Sequence, residues 1–370
     1  MQISSAVLKN DEKAILELRE LYQKYGYSQF KMSKFEPYDL YVRNKDFLVS
    51  ENIITFNDAG GRLMALKPDV TLSIIKNTPE ATDFVQKVYY NENVYRTGAD
   101  GTFREIMQLG LECIGKTDAY CISEVLMLAA ESLAFISPDF VLDVSHMGIV
   151  SSLLDEAGAS PAIRKEILTC IGEKNVHGIV AACGAENIDS EKLCGLVTTY
   201  GDAETVLPRL EVLRTPGTDS AINELTSVMH TLKKYGFGDK IHIDFSVIND
   251  MNYYNGFVFR GFIEGLSTGI LSGGQYDRLM AKMGRRAGAI GFALYLDMLQ
   301  QLPSETPEFD VDAVLLYDSH SDMDALTEAI GFLTAGGKRV MAQQSVPDKI
   351  RYRQLLRLQE RGVEIVENNA

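Results

Sequence analysis

The chain has 370 residues, with 51 acidic against 36 basic side chains, a net charge of −15 and a hydrophobic content of 46%. That length and composition allow two or three globular domains with a real core, and they exclude wholesale disorder and collagen-like repeats. No run approaches the roughly 20 apolar residues of a membrane helix and the start lacks a basic, apolar signal, so a cytoplasmic protein is expected; the acidity disfavours nucleic acid, whose binding draws on Lys and Arg.

Ile15, Leu18, Leu21, Tyr22 and Tyr25 recur at helical spacing after Asn10-Asp11, predicting a first helix closed by Gly26. Short strands are expected over 53–56 and 62–66 around a turn at 57–61, followed by a helix over 69–76. The Val- and Tyr-rich stretch 84–96 and the alternating stretch 103–114 predict a hairpin with a polar loop at 97–101. A long apolar helix follows over 118–135, started by Asp118, and then a strand over 139–144. Residues 146–235 read as short helices punctuated by glycine and proline, a helical insertion. Strands resume at 240–245, 256–263 and 266–271. Gly273-Gly274 reads as a turn into a helix over 276–283, and 287–294 as a strand entering a helix to 302. Residues 303–307 have linker composition; beyond them 313–317, 323–334, 339–343, 349–361 and 363–366 predict β-α-β-α-β. The five cysteines contain no CxxC pair and the five histidines no cluster, so no metal or cofactor is expected.

Four spaced blocks carry the chemistry. Leu66-Lys67-Pro68-Asp69-Val70-Thr71 puts a carboxylate and a hydroxyl at the mouth of a helix, where either helix capping or ligand binding would use them. Val94-Tyr95-Arg96 precedes the hairpin loop. After it, Arg104, Gln108 and Glu112 share one strand face, either as a solvated surface or as a polar site. Tyr253-Tyr254-Asn255-Gly256 and Gly273-Gly274-Gln275-Tyr276-Asp277 form the other two; a tyrosine pair before a strand and a Gly-Gly turn are both compatible with plain packing.

In this order, the blocks resemble the catalytic core of the class II histidyl-tRNA synthetases. Residues 66–71 match the family's L-[RK]-P-E-x-T element, and 94–112 match its motif 2 with the tail G-x-x-R-E-x-x-Q-x-G-x-E intact. Tyr253-Tyr254-x-Gly256 and Gly273-Gly274-x-Tyr276-Asp277 match its two histidine elements. The resemblance covers roughly residues 10–302. It implies an α+β fold, a class II synthetase-like antiparallel sheet flanked by helices. Residues 1–302 would form this core, with the helical insertion at about 146–235, and 308–370 a shortened anticodon-binding-like α/β module.

The departures bear on function. Ser33 stands where motif 1 has a proline three residues before its glutamate, here Glu36. The first histidine element normally opens with an arginine; Asn249 occupies that place. Motif 3 normally reads G-[FI]-x-[IL]-G-x-E-R, and Gly291-Phe292-Ala293-Leu294-Tyr295-Leu296-Asp297-Met298 puts methionine at its arginine. Adenylate formation needs guanidinium groups on the phosphates, where charge develops. Methionine and asparagine carry no charge, so aminoacylation is expected to be lost, with Arg96 left as a vestigial phosphate residue.

The pocket motifs are retained. The resemblance implies that Asp69, Thr71, Arg104, Gln108, Glu112, Tyr253, Tyr254 and Tyr276 bind histidine. A synthetase body without its phosphate arginines resembles the regulatory subunits of ATP phosphoribosyltransferase. That family implies no catalysis by the chain itself, a short-form catalytic subunit as partner, a homodimer within a hetero-oligomer, and feedback inhibition by histidine in the first step of histidine biosynthesis. An active histidyl-tRNA synthetase and a stand-alone histidine sensor are the alternatives.

Overall fold

The computed structural model describes residues 8–44, 53–79, 84–98, 100–248, 253–302, 308–359 and 362–369. The chain divides into two compact units, Met1–Leu302 and Pro303–Ala370.

In the first unit, α1 (Asn10–Lys24) buries Ala14, Leu18 and Tyr22 along one face, and Gly26 just beyond it adopts φ +81°. After β1 (Ser28–Gln29) comes a small sheet of β2 (Phe35–Pro37), β3 (Thr55–Asn57) and β4 (Leu63–Leu66), with α2 (Tyr38–Val42) inserted and the order β2-β4-β3. Helix α3 (Thr71–Asn77) begins two residues later than its sequence spacing suggests. β5 (Gln86–Thr97) and β6 (Phe103–Gly115) then form a long hairpin, in antiparallel register from Gln86↔Ile114 to Thr97↔Phe103. The Gly98 amide donates to the Thr102 carbonyl at 2.8 Å across its turn, and Gly101 supplies the φ of +79° the turn needs.

The Asp118 carboxylate accepts from the Cys121 amide at 2.9 Å and so starts α4 (Ala119–Ile136). Asp118→Ala should therefore cost about 1 kcal/mol, seen as a lower urea midpoint with an unchanged slope. Among the described residues α4 alone is long and apolar enough to cross a membrane, but 67% of it is buried inside the protein, as suits a core helix. β7 (Phe140–His146) leads into the insertion: α5 (Met147–Glu156), α6 (Pro161–Gly172), α7 (Val176–Ala185), α8 (Glu191–Thr198), β8 (Tyr200–Asp202), α9 (Ala203–Val206) and α10 (Asp219–Lys234). The core resumes with β9 (Ile241–Asp244), β10 (Phe257–Ile263), β11 (Leu271–Gln275), α11 (Asp277–Lys282) and β12 (Gly288–Tyr295). A 3-10 turn, Leu296–Gln301, follows β12 in place of the full helix that the sequence suggests.

Nine strands form one sheet in the order β1-β5-β6-β12-β11-β10-β7-β9-β8. Pairing is antiparallel except at β1·β5 and β7·β9. One face carries Leu109, Leu111, Leu142, Val144, Phe259 and Phe292 into the main core with α1 and α4. The other face is the more polar one: it carries Val88, Tyr90, Val94, Ile114 and Ala289 into a second, smaller core with α3 and α11, and beside that core it bears Gln108 and Glu112.

The Gly-Gly turn expected at 273–274 is instead the middle of β11, and 266–271 is not a strand up to Leu271. The reason is crowding. A Cβ on Gly273 would strike the Gly291 carbonyl, and one on Gly274 would lie 2.5 Å from the Tyr254 ring. These glycines allow close approach rather than a bend.

The second unit comprises β13 (Val311–Leu316), α12 (Met323–Ala335), β14 (Val340–Gln343), β15 (Tyr352–Gln359) and β16 (Gly362–Asn368), in the order β14-β13-β15-β16. The helix expected over 349–361 is the strand β15. Its residues have ordinary helix propensity, but parallel pairing with β13 buries Leu355 and Leu356, and Leu356 and Leu358 pack with α12. Tertiary burial overrides a weak local preference here.

Candidate functional site

A cavity of about 540 Å³ opens on the polar face of the large sheet, over β6, β12, β11 and β10, beside the start of α3. Its deep end is built around Glu112, which is 2% exposed. Thr71 Oγ1 donates to Glu112 Oε1 at 3.0 Å and Tyr276 OH donates to Oε2 at 2.5 Å. Burial pushes the Glu112 carboxyl up to about 8; the two hydroxyl donors oppose that rise and the nearby Asp69 adds to it. An empty site therefore holds a largely protonated carboxyl at neutral pH.

Asp69 braces the start of α3 and also faces the cavity. Its Oδ1 accepts from the Leu72 amide at 2.9 Å, bracing the first turn of α3, while its side chain lines the cavity. Burial raises its carboxyl above the usual range against the backbone donors and Arg96. Gln108, two strand repeats before Glu112 on the same face, lines the cavity and is 4% exposed. Three tyrosines make a wall. The Tyr253 and Tyr254 ring centroids lie 4.5 Å apart and Tyr253 and Tyr276 lie 5.9 Å apart. Small residues make the floor: Gly291, Gly273, Ser272 and Ala293. A Cβ on Gly291 would coincide with the Glu112 carboxylate, so the glycine there creates the space that the carboxylate occupies.

Of the residues singled out in the sequence, Asp69, Thr71, Gln108, Glu112, Tyr253, Tyr254, Tyr276 and Arg96 come together at this cavity. Arg104 does not. It is exposed near the hairpin tip, where its guanidinium meets Asp100 at 3.3 Å. Sharing a strand face is not sharing a site, because Arg104 stands eight residues, ~27 Å along an extended strand, from Glu112. Arg96 reaches the cavity with its Nε donating to the Pro68 carbonyl at 3.2 Å. Asn249 lies outside the described residues. Met298 sits in the 3-10 turn after β12, partly buried against the main core rather than lining the cavity.

Among the further lining residues that the sequence did not single out as site residues are Tyr90, Arg260 and Tyr295. Tyr295 was legible in principle. It stands at the second glycine of the motif 3 pattern, and its side chain occupies space that a glycine would leave open. Tyr90 packs over Gly110, where a Cβ would strike its hydroxyl and the Phe292 carbonyl. Arg260 carried no signal, since a lone arginine on a strand is ordinary.

The antiparallel sheet, its long hairpin and the cavity on its polar face define a class II aminoacyl-tRNA synthetase-like protein. A profile described as histidyl-tRNA synthetase matches residues 4–299. An ATP phosphoribosyltransferase regulatory subunit from Alkaliphilus metalliredigens is 30% identical over 296 residues, 77% of this chain and 74% of that protein. Two solved structures share the fold. An ATP phosphoribosyltransferase regulatory subunit/histidyl-tRNA synthetase from Bacillus halodurans has a TM-score of 0.77 at 24% identity, covering 96% of each chain. The ATP phosphoribosyl transferase complex from Thermotoga maritima has 0.63 at 19% identity, covering 76% of this chain and 96% of that one. The chain belongs to the histidyl-tRNA synthetase family, in its branch of ATP phosphoribosyltransferase regulatory subunits.

Proposed function

We propose that this chain is the non-catalytic regulatory subunit of an ATP phosphoribosyltransferase: it partners a short catalytic subunit and makes the complex sensitive to histidine through the cavity around Glu112. The observation that carries this reading is the make-up of the cavity. One end gathers Asp69, Thr71, Gln108, Glu112 and three tyrosines, whereas the motif 3 positions hold Tyr295 and Met298. Carboxylates and hydroxyls suit an ammonium and an imidazole through charge-assisted hydrogen bonds. Adenylate chemistry needs cationic clamps on phosphates instead. Histidine would lie with its ammonium toward Asp69 and Thr71 and its ring toward Glu112 and Gln108.

A homodimer within the complex is part of the same proposal. The small β2-β4-β3 sheet presents Phe35, Phe56 and Leu63 to solvent, and the Phe35 and Phe56 rings meet edge to face at 5.4 Å. A paired apolar patch of this kind supports self-association through that sheet.

The test mixes the purified chain with a short phosphoribosyltransferase catalytic subunit. Transferase activity is expected only or mainly in the mixture, with inhibition by histidine, and the chain alone should show no histidine-dependent ATP–pyrophosphate exchange. Exchange by the chain alone would overturn the reading in favour of a synthetase.

A further inference from the structure

Arg260 stands at the opposite end of the cavity from Glu112. On β10 its Cα partners are Ser272 of β11 and Asp143 of β7, so it lies on the polar face in the row Gly110, Ala293, Ser272, Arg260. Two features show which way the side chain leans. A Cβ on Gly269, just before β11, would lie 2.6 Å from its Cγ and 2.7 Å from its Cδ, so the aliphatic stem runs over Gly269 toward the cavity. Asp143, on the other side, meets His242 at 3.8 Å and feels Asp244 and Lys174. The guanidinium forms no hydrogen bond or ion pair among the described residues, it lines the cavity, and its charge is felt at the Tyr254 phenol.

Glu112 leans inward from its own side, its carboxylate lying over Gly291 of β12. The two strands β6 and β10 are three spacings apart, ~14 Å, and both side chains reach toward each other over a floor of glycine, serine and alanine. The cavity lies between their charged ends. Unlike the deep end, this end offers a cation, Arg260, whereas the other guanidinium of the lining, Arg96, stands on β5 beside Pro68 and Asp69.

We infer that Arg260 binds the α-carboxylate of the amino acid whose ring and ammonium are held at the deep end, and so makes the cavity select free amino acids over their uncharged analogues. A guanidinium matches a carboxylate as a planar fork, which makes the contact strong as well as selective. This deepens the amino-acid reading of the site and rests on it. It also supplies, from β10, a cation that asparagine at position 249 does not.

Calorimetric titration of the full chain with L-histidine and L-histidinol, in which a hydroxymethyl group replaces the carboxylate, tests the inference. Wild type should prefer histidine by about 10- to 100-fold, the worth of one charged hydrogen-bonded contact. Arg260→Gln should lose histidine affinity by that factor and leave histidinol binding unchanged, so the preference collapses; Arg260→Lys should keep part of it. Arg260 is exposed, so the variant should melt like wild type. A variant that retains the wild-type preference overturns the role of Arg260 and leaves the pocket reading standing. Wild type that binds neither ligand overturns the pocket reading, and this inference with it.

Discussion

Glu112→Gln is expected to stabilise the empty protein at pH 8 and to blunt its response to histidine. Burial holds the Glu112 carboxyl at about 8 in the folded chain against 4.5 ordinarily. With the folded value raised, its contribution is fully present below 4.5 and is lost as the pH climbs through about 8. The loss is on the order of 3–5 kcal/mol, since each tenfold change in proton affinity is worth about 1.4 kcal/mol. Glutamine stays neutral, and the hydroxyls of Thr71 and Tyr276 can each donate or accept, so the hydrogen bonds survive. Wild type and variant should melt alike near pH 5 and diverge toward pH 8, with the variant the more stable.

Binding should move the other way. A cationic ligand favours the ionised carboxylate, so histidine binding to wild type should tighten from pH 7 to pH 8 and release a proton to the buffer. The variant should bind about 10- to 100-fold more weakly, with a flatter pH profile. In the complex, inhibition by histidine should shift to correspondingly higher concentration while assembly is kept. Identical inhibition curves for the two proteins would place the effector elsewhere.

The second large effect is expected at Glu92. Lys67 is fully buried, and its only charge partner within salt-bridge distance among the described residues is Glu92, 2.9 Å away. Burial already lowers the Lys67 ammonium below its ordinary value, with Glu92 holding it up. Glu92→Ala would leave that ammonium uncompensated in the interior, at a cost of about 3–5 kcal/mol. The deficit should shrink as pH rises, because the unfolded chain then binds the extra proton less. Adding Lys67→Met should recover most of the lost stability, since an apolar replacement of both partners is close to neutral. Urea melts of the three proteins from pH 7 to 9.5 measure both claims. A single mutant as stable as wild type would mean that the ion pair does not hold this part of the chain. Because Lys67 immediately precedes Pro68 and Asp69, the pair also positions the mouth of the cavity.

Local signals carried far where chemistry and period agreed. The Asp118 start of α4, the hairpin of β5 and β6, and the helical run after β7 follow from caps, alternation and glycine spacing. They failed where the neighbour across the sheet decided the outcome. Gly273-Gly274 has the composition of a turn, and only the nearness of Gly291 and Tyr254 makes it a strand. Residues 352–359 have no strong strand preference, and only β13 beside them draws them into the sheet.

The site divides the same way. Order and spacing of the four blocks were enough to indicate the family and to bring Asp69, Thr71, Gln108, Glu112 and the three tyrosines into one proposal, because sequence motifs preserve which side chains are available. Whether those side chains meet is a question of distance. Twisted strands and long separations set that distance, which is why Arg104 falls at the hairpin tip beside Asp100 while Arg260, without any motif, arrives at the cavity. The raised carboxyl of Glu112 belongs to the same class of fact: the sequence shows a glutamate, and only burial in the folded sheet, against the opposing hydroxyl donors of Thr71 and Tyr276, makes it a group that titrates near neutral pH.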